Sequence, residues 1–219
     1  MYKPKIEKTV YLLRHGQSID NISPVFQSED SPLSENGRVQ AEHMAKRVSK
    51  ISFETLIASP LIRTKQTAEI ISKSTGKNVE FSELFVERIK PRKLYGKPYT
   101  DINANNLWRN WEKSLLTEGM RIEDGENFDD LMVRADKALN FLKNRPEESL
   151  VVVTHGYFLR TLVIRVLLGD LLTGDLFKSS INRMLTENTG LTVLQYRDSF
   201  EEEANWKLWV YNDHAHLAG

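Results

Sequence analysis

Apolar positions along this chain switch between two spacings, and the switching predicts the fold class. Residues 9–13 and 150–154 are short, nearly unbroken apolar runs, as expected of strands buried on both faces. Leu56-Ile57-Ala58 reads the same way. Between these runs the period becomes helical. Ser34 is a candidate N-cap for a helix over 34–48, with Val39, Met44 and Val48 on its inner side. Pro60 is placed to open a second helix whose stripe is Leu61, Thr64, Ala68 and Ile71, with Gly76 ending it. Leu131, Ala135, Ala138 and Leu142 repeat the pattern over 128–142, and a further helix over 158–168 follows the most hydrophobic strand.

Strands separated by helices imply crossover connections and a mainly parallel sheet between helical layers. Residues 191–196 and 206–211 differ, being strand-like and joined by an acidic connection containing Glu201-Glu202-Glu203. They predict an antiparallel pair at one sheet edge. The expected fold is thus an α/β three-layer sandwich with a mainly parallel central sheet, an antiparallel edge strand and a small lid insertion. Residues 84–125 fit the alternation least and supply that insertion. No internal repeat or Gly/Ser-rich linker divides the chain, so its 219 residues read as one domain, 1–219.

Hydrophobic residues make up 40% and charged residues 27%, a mixture able to bury a sizeable core. The 30 basic and 30 acidic side chains cancel, which argues against a general binder of nucleic acid or membrane surfaces. Cysteine is absent, so disulfides, thiol nucleophiles and cysteine metal sites are excluded. The opening Met1-Tyr2-Lys3-Pro4-Lys5-Ile6-Glu7-Lys8 carries no targeting pattern, and a cytoplasmic location is expected. Residues 150–172 could mimic a membrane span, but His155, Arg160, Arg165 and Asp170 lie inside. Each central Arg or Asp would cost about 2.5–3.5 kcal/mol in a bilayer.

Two histidines stand where buried strands should end: His15 in Arg14-His15-Gly16, and His155 in Thr154-His155-Gly156. Ligands bind at the carboxyl ends of parallel strands, so both imidazoles can reach one crevice. A facing pair points to covalent or proton-transfer chemistry near neutral pH. If His15 attacks phosphorus, the phosphoryl oxygens need fixed cationic donors, and Arg14 and Arg63 are placed to supply planar forks. Gly16 and Gly156 lack Cβ and would let backbone approach a phosphate. Glu87 is the candidate acid for the leaving oxygen. Each assignment has a plainer rival: a structural histidine, an arginine pairing on its own helix, an exposed surface glutamate.

These phrases together resemble the histidine phosphatase superfamily, also called the phosphoglycerate mutase-like family. The match runs through Arg14-His15-Gly16-Gln17-Ser18, Asn21, Asp30-Ser31-Pro32-Leu33-Ser34-Glu35-Asn36-Gly37 and Gln40-Ala41. It continues through Ser59-Pro60-Leu61-Ile62-Arg63-Thr64, Gln66-Thr67-Ala68, Glu87, Gly125-Glu126-Asn127-Phe128 and Thr154-His155-Gly156. The resemblance implies that His15 is the phosphohistidine nucleophile, with Arg14, Arg63 and His155 as phosphate-pocket partners and Glu87 as proton donor. It implies pocket roles for Gln17 and Asn21, and chemistry needing neither metal nor organic cofactor. Mutases of the family usually carry a Trp- and Gly-containing phrase after the motif asparagine, and residues 22–29 have neither.

The expected activity is therefore that of a histidine acid phosphatase-type phosphoric monoester hydrolase acting on a small, anionic, phosphorylated metabolite. The alternatives are phosphoglycerate mutase-type transfer and a catalytically weak phospho-ligand binding module. Arg88, Lys90, Arg92 and Lys93 follow Glu87 and would favour polyanionic substrates if they line the entrance; their other reading is a solvated basic face. Trp108 and Trp111, one helical turn apart, read as core or lid packing. His43 reads as helix surface, and His214 with His216 as a disordered tail rather than a metal site.

Overall fold

A computed structural model describes residues 5–198 and 204–217. Among the described residues six strands form: β1 (Ile6–Arg14), β2 (Thr55–Ala58), β3 (Val79–Phe81), β4 (Ser149–Thr154), β5 (Leu191–Arg197) and β6 (Asn205–Asp213). They make one sheet in the order β3-β2-β4-β1-β5-β6. β3, β2, β4 and β1 pair in parallel, and β5 runs antiparallel to both β1 and β6. The acidic connection Glu201-Glu202-Glu203 and the first four residues of the opening segment lie outside the described residues.

Six α-helices accompany the sheet: α1 (Glu35–Val48), α2 (Ile62–Thr75), α3 (Ile102–Lys113), α4 (Phe128–Lys143), α5 (Gly156–Leu168) and α6 (Gly174–Ile181). Strand side chains alternate between faces, and the two faces carry separate cores. Leu150 and Val152 of β4 join Val10, Leu12 and Ile57 against α4, α5 and α6. Val151 and Val153 join Leu13, Leu56 and Ala58 against α1 and α2. The result is the three-layer sandwich expected from the alternation.

Several local expectations shift. Ser34 caps α1, accepting from the Gly37 N–H, but Val39 is 43% exposed and the inner face is instead Gly37, Ala41, Met44, Ala45 and Val48. α2 begins two residues after Pro60, with Leu61 as its N-cap, so the proline precedes the helix rather than opening it. α5 starts at Gly156 instead of residue 158, leaving only His155, its N-cap, between strand and helix. Residues 84–125 contribute no sheet strand; they contain α3, and their Leu94, Ala104 and Trp111 form a small core with Phe26. No described helix is long and apolar enough to cross a membrane.

The turn after β1 is pressed against the first turn of α1. A Cβ on Gly16 would lie 2.3 Å from the Gly37 carbonyl oxygen, and one on Gly37 would lie 1.9 Å from the Gln17 carbonyl oxygen. Both contacts are with backbone, which cannot swing aside. Gly37→Ala should therefore lower stability by about 1–3 kcal/mol, the usual range for overpacking. A urea midpoint equal to that of the parent protein would contradict this reading.

Candidate active site

Register decides which side chains meet. β1 and β4 stay paired to Arg14↔Thr154, and β2 pairs with β4 to Ala58↔Val153. Two further amides extend these ladders: His15 N–H donates to the Thr154 carbonyl at 3.0 Å, and Ser59 N–H to the Val153 carbonyl at 3.0 Å. His15, His155 and Ser59 thus leave adjacent strands at one edge. The two imidazoles lie edge to face, with ring centroids 5.1 Å apart. Both are buried.

The hydrogen bonds assign the ring nitrogens. His15 Nδ1 is 2.7 Å from the Gly16 carbonyl, which can only accept, so the proton sits on Nδ1. Nε2 then carries the lone pair, and Arg63 Nε donates to it at 3.3 Å. Arg63 is itself buried and held by the Ser28 and Glu29 carbonyls. His155 Nε2 meets Ser59 Oγ at 2.9 Å, while its Nδ1 is buried without a partner among the described residues. Arg14 donates from Nη1 to the Thr186 carbonyl, and its Nε is likewise buried and unpartnered. A Cβ on Gly156 would come within 3.1 Å of that Nε, so glycine keeps room for the Arg14 side chain. Buried polar atoms in folded proteins are almost always paired. The orphans on His155 and on the Arg14 guanidinium leave two donors or acceptors that the described residues do not satisfy.

Electrostatics follow from burial. Loss of solvation, then the charges of Arg63 and Arg14, hold His15 well below the usual imidazole pKa. His155 is held down by burial, then Arg63 and His15. Burial also brings Arg63 to about 10 and Lys90 to about 8. Both rings are therefore neutral near pH 7, as an attacking imidazole requires.

Glu87 closes one side. Its carboxylate accepts from the N–H groups of Arg88 (3.0 Å), Tyr157 (3.2 Å) and Phe158 (3.0 Å), which docks it on the first turn of α5. It faces three cavities at once, shared with Arg63, with Arg14, and with an aromatic wall that includes Trp108 and Trp111.

Other expected residues are placed differently. Gln17 turns its side chain to Ser34, and Asn21 is exposed, its oxygen accepting from Ser18 N–H; neither lines these cavities. Arg88 borders the cavity with the aromatic wall but is buried, stacked 3.7 Å over Trp111 and ion-paired to Glu112. Arg92 and Lys93 are exposed and paired with Asp124 and Glu123. Of the basic cluster, only Lys90 and Arg88 reach a cavity, because the chain turns at Pro91 and carries the next two side chains outward. Trp111 packs as expected, whereas Trp108 also lines the cavity. His43 is exposed on α1.

Supporting residues went unassigned at the sequence level. Asn188 Nδ2 donates to the His15 carbonyl, and Thr189 N–H donates to the Arg14 carbonyl from a left-handed backbone (φ 59°). His216 reaches Thr189 Oγ1 and Arg47, which is ion-paired to Asp213; the tail expected to be disordered is anchored through residue 217. Arg134, paired with Glu126, donates to the carbonyls of Val86 and Glu87. The signal for this last pair was Gly125-Glu126-Asn127, a matching phrase with no role of its own. Among the described residues no three His, Asp or Glu side chains cluster as metal ligands.

Known proteins share this sequence pattern and fold. A sequence model of the histidine phosphatase superfamily (branch 1) matches residues 10–209. The chain belongs to the histidine phosphatase superfamily. Relatives within the superfamily include a protein of Photorhabdus laumondii named "Probable phosphoglycerate mutase GpmB", 34% identical, with 95% of this chain and 94% of the relative covered. The protein of the same name in Erwinia tasmaniensis is 31% identical over the same shares. Among solved structures, the phosphoserine phosphatase of Entamoeba histolytica with 3-phosphoglyceric acid superposes with TM-score 0.74 at 23% identity, covering 96% of this chain and 99% of that one. A mycobacterial glucosyl-3-phosphoglycerate phosphatase gives 0.73 at 24%, covering 94% and 99%. Both structures are shared-fold neighbours of this superfamily member.

Buried histidines make stability depend on pH. His216 is held at about 4 by burial and the Arg47 charge, and His15 and His155 are also lowered. Below about pH 6.5 the unfolded chain binds protons that the folded chain refuses, at up to about 1.4 kcal/mol per pH unit for each such group. Stability should fall between pH 6.5 and 4, and His216→Gln should make that fall shallower. Parallel pH profiles of the urea midpoint for parent and variant would refute the assignment.

Proposed function

We propose that the protein is a phosphomonoester hydrolase acting through a phosphohistidine at His15. The observation that carries this reading is the buried Nε2 lone pair of His15, fixed by the Gly16 bond and surrounded by Arg63, Arg14 and the unpartnered Nδ1 of His155. A phosphoryl group takes the place Arg63 Nε now holds against that lone pair. The guanidiniums then carry the charge on its oxygens, where fixed donors in a water-poor site act most strongly.

In the first step the Nε2–P bond forms as the P–O bond to the leaving oxygen breaks, and that oxygen takes the Glu87 proton. In the second, water attacks phosphorus, Glu87 accepts its proton, and the N–P bond breaks to release inorganic phosphate and free imidazole. Glu87 is thus acid and then base, and its seat on the α5 amides orients it for both roles. No step calls for a metal or organic cofactor. The small anionic phosphorylated substrate expected from the sequence remains part of this proposal.

Mutase-type transfer is the second reading, favoured by the names of the curated relatives. A mutase must hold a second anionic group of its substrate. Here Arg92 and Lys93 are paired outside the cavities, which supports water as the acceptor.

His15→Ala should lower kcat/KM for p-nitrophenyl phosphate by about 10³-fold or more, with EDTA leaving the parent rate unchanged. Acid-labile, alkali-stable phosphate on the parent but not the variant should accompany this loss. Retained activity in His15→Ala would remove the nucleophile assignment. Conversion of 3- to 2-phosphoglycerate outpacing phosphate release would replace hydrolase by mutase. Arg63→Lys should recover little of the roughly 10²- to 10³-fold loss expected for Arg63→Ala, since a point charge cannot reproduce the fork.

A further inference from the structure

Beside Glu87 the protein holds a cavity of about 550 Å³, against about 170 Å³ for the one that reaches Arg63. The two share Gln27, Glu87, Arg88 and Lys90, so the larger space is open to the remainder of a molecule whose phosphorus lies near Arg63. We infer that this cavity seats a ring-bearing leaving group, so that the preferred substrate is the phosphate monoester of a ring-bearing alcohol. The inference rests on the hydrolase reading above.

The lining argues for a ring. Phe26, Tyr99 and Trp108 form one aromatic wall: Phe26 meets Tyr99 edge to face at 4.8 Å between centroids and lies 6.4 Å from Trp108. Trp111 and Tyr157 form another around the Arg88 guanidinium, 3.7 and 5.4 Å from their ring centres. The aromatic faces offer stacking to a planar guest, and most of the exposed lining is carbon. Trp108 stands at the cavity with 37% of its surface exposed, although a tryptophan used only for packing would be covered.

Most charged groups of the lining are engaged by the protein itself. Arg88 gives its Nη1 to Glu112 at 2.6 Å and its Nη2 to the Glu126 carbonyl, and the other Glu112 oxygen is ion-paired to Lys178. Lys90 directs its ammonium to the Gln27 carbonyl at 2.8 Å. Arg88 Nε is buried without a partner among the described residues, so the lining keeps one unmatched donor beside the Glu87 and Glu112 carboxylates. The remaining polar lining, Gln27, Asn105 and Asn182, suits hydroxyls, carbonyls or ring nitrogens.

The test compares esters of alcohols, so that leaving-group acidity does not decide the ranking. Phenethyl phosphate, a nucleoside 5′-monophosphate and glucose 6-phosphate are measured against ethyl phosphate and 3-phosphoglycerate. At least one ring-bearing ester should exceed both ringless ones at least tenfold in kcat/KM, and which one does so identifies the ring as aryl, nucleoside or sugar. Trp108→Ala should remove most of that advantage, lowering kcat/KM for the favoured ring-bearing ester at least fivefold more than for ethyl phosphate. Trp108→Leu serves as a second variant if the first does not fold. The inference is overturned if 3-phosphoglycerate matches or exceeds every ring-bearing ester, or if neither tryptophan variant changes the ratio. His15-independent phosphate release from all five esters would instead remove the hydrolase reading, leaving the two failures distinguishable.

Discussion

Parallel pairing of β1 with β4, in register to the last residue of each, is the constraint on which the site depends. Residues 14 and 154 are 140 positions apart in the chain, yet the ladder leaves no freedom in how the following histidines meet. A one-residue slip would turn every side chain of β1 to the opposite core and send His15 away from His155. The continuous burial of Val10, Leu12 and Leu13 on one side and residues 150–153 on the other makes such a slip prohibitive. Chemistry here is positioned by hydrophobic packing.

That placement has an electrostatic consequence. Two arginines and two histidines gather where little water reaches, and like charges so confined repel strongly. The structure resolves the conflict by keeping the imidazoles neutral and sharing the guanidiniums with backbone carbonyls of residues 28, 29 and 186. Those carbonyls are weak partners compared with a dianion. The free protein is in this sense incomplete, and a phosphoryl group restores the balance that the fold withholds.

Much of this was legible along the chain. Long apolar runs followed by His-Gly exposed β1, β4 and the two imidazoles, because buried parallel strands leave a strong one-dimensional signal. β3 has only Val79, Glu80 and Phe81, too few for a pattern, and α6 was hidden in a short segment after Gly174. Charge was harder to interpret than shape. Arg88 looked like a free cation because Glu112 and Trp111, which absorb it, lie more than twenty residues away. Arg92 and Lys93 follow within five residues and serve no cavity, since a turn at Pro91 redirects them. Spacing reports which face of an element a residue occupies; it carries no information on which distant side chain will meet it there.

The anchored tail reaches further into the molecule than its position suggests. His216 grips Thr189, and Thr189, in a backbone geometry a β-branched residue seldom adopts, donates to the carbonyl beside the nucleophile. A mechanical line therefore runs from the carboxyl-terminal turn to the bend that aims His15. Loosening the 215–217 turn would be felt at the catalytic bend.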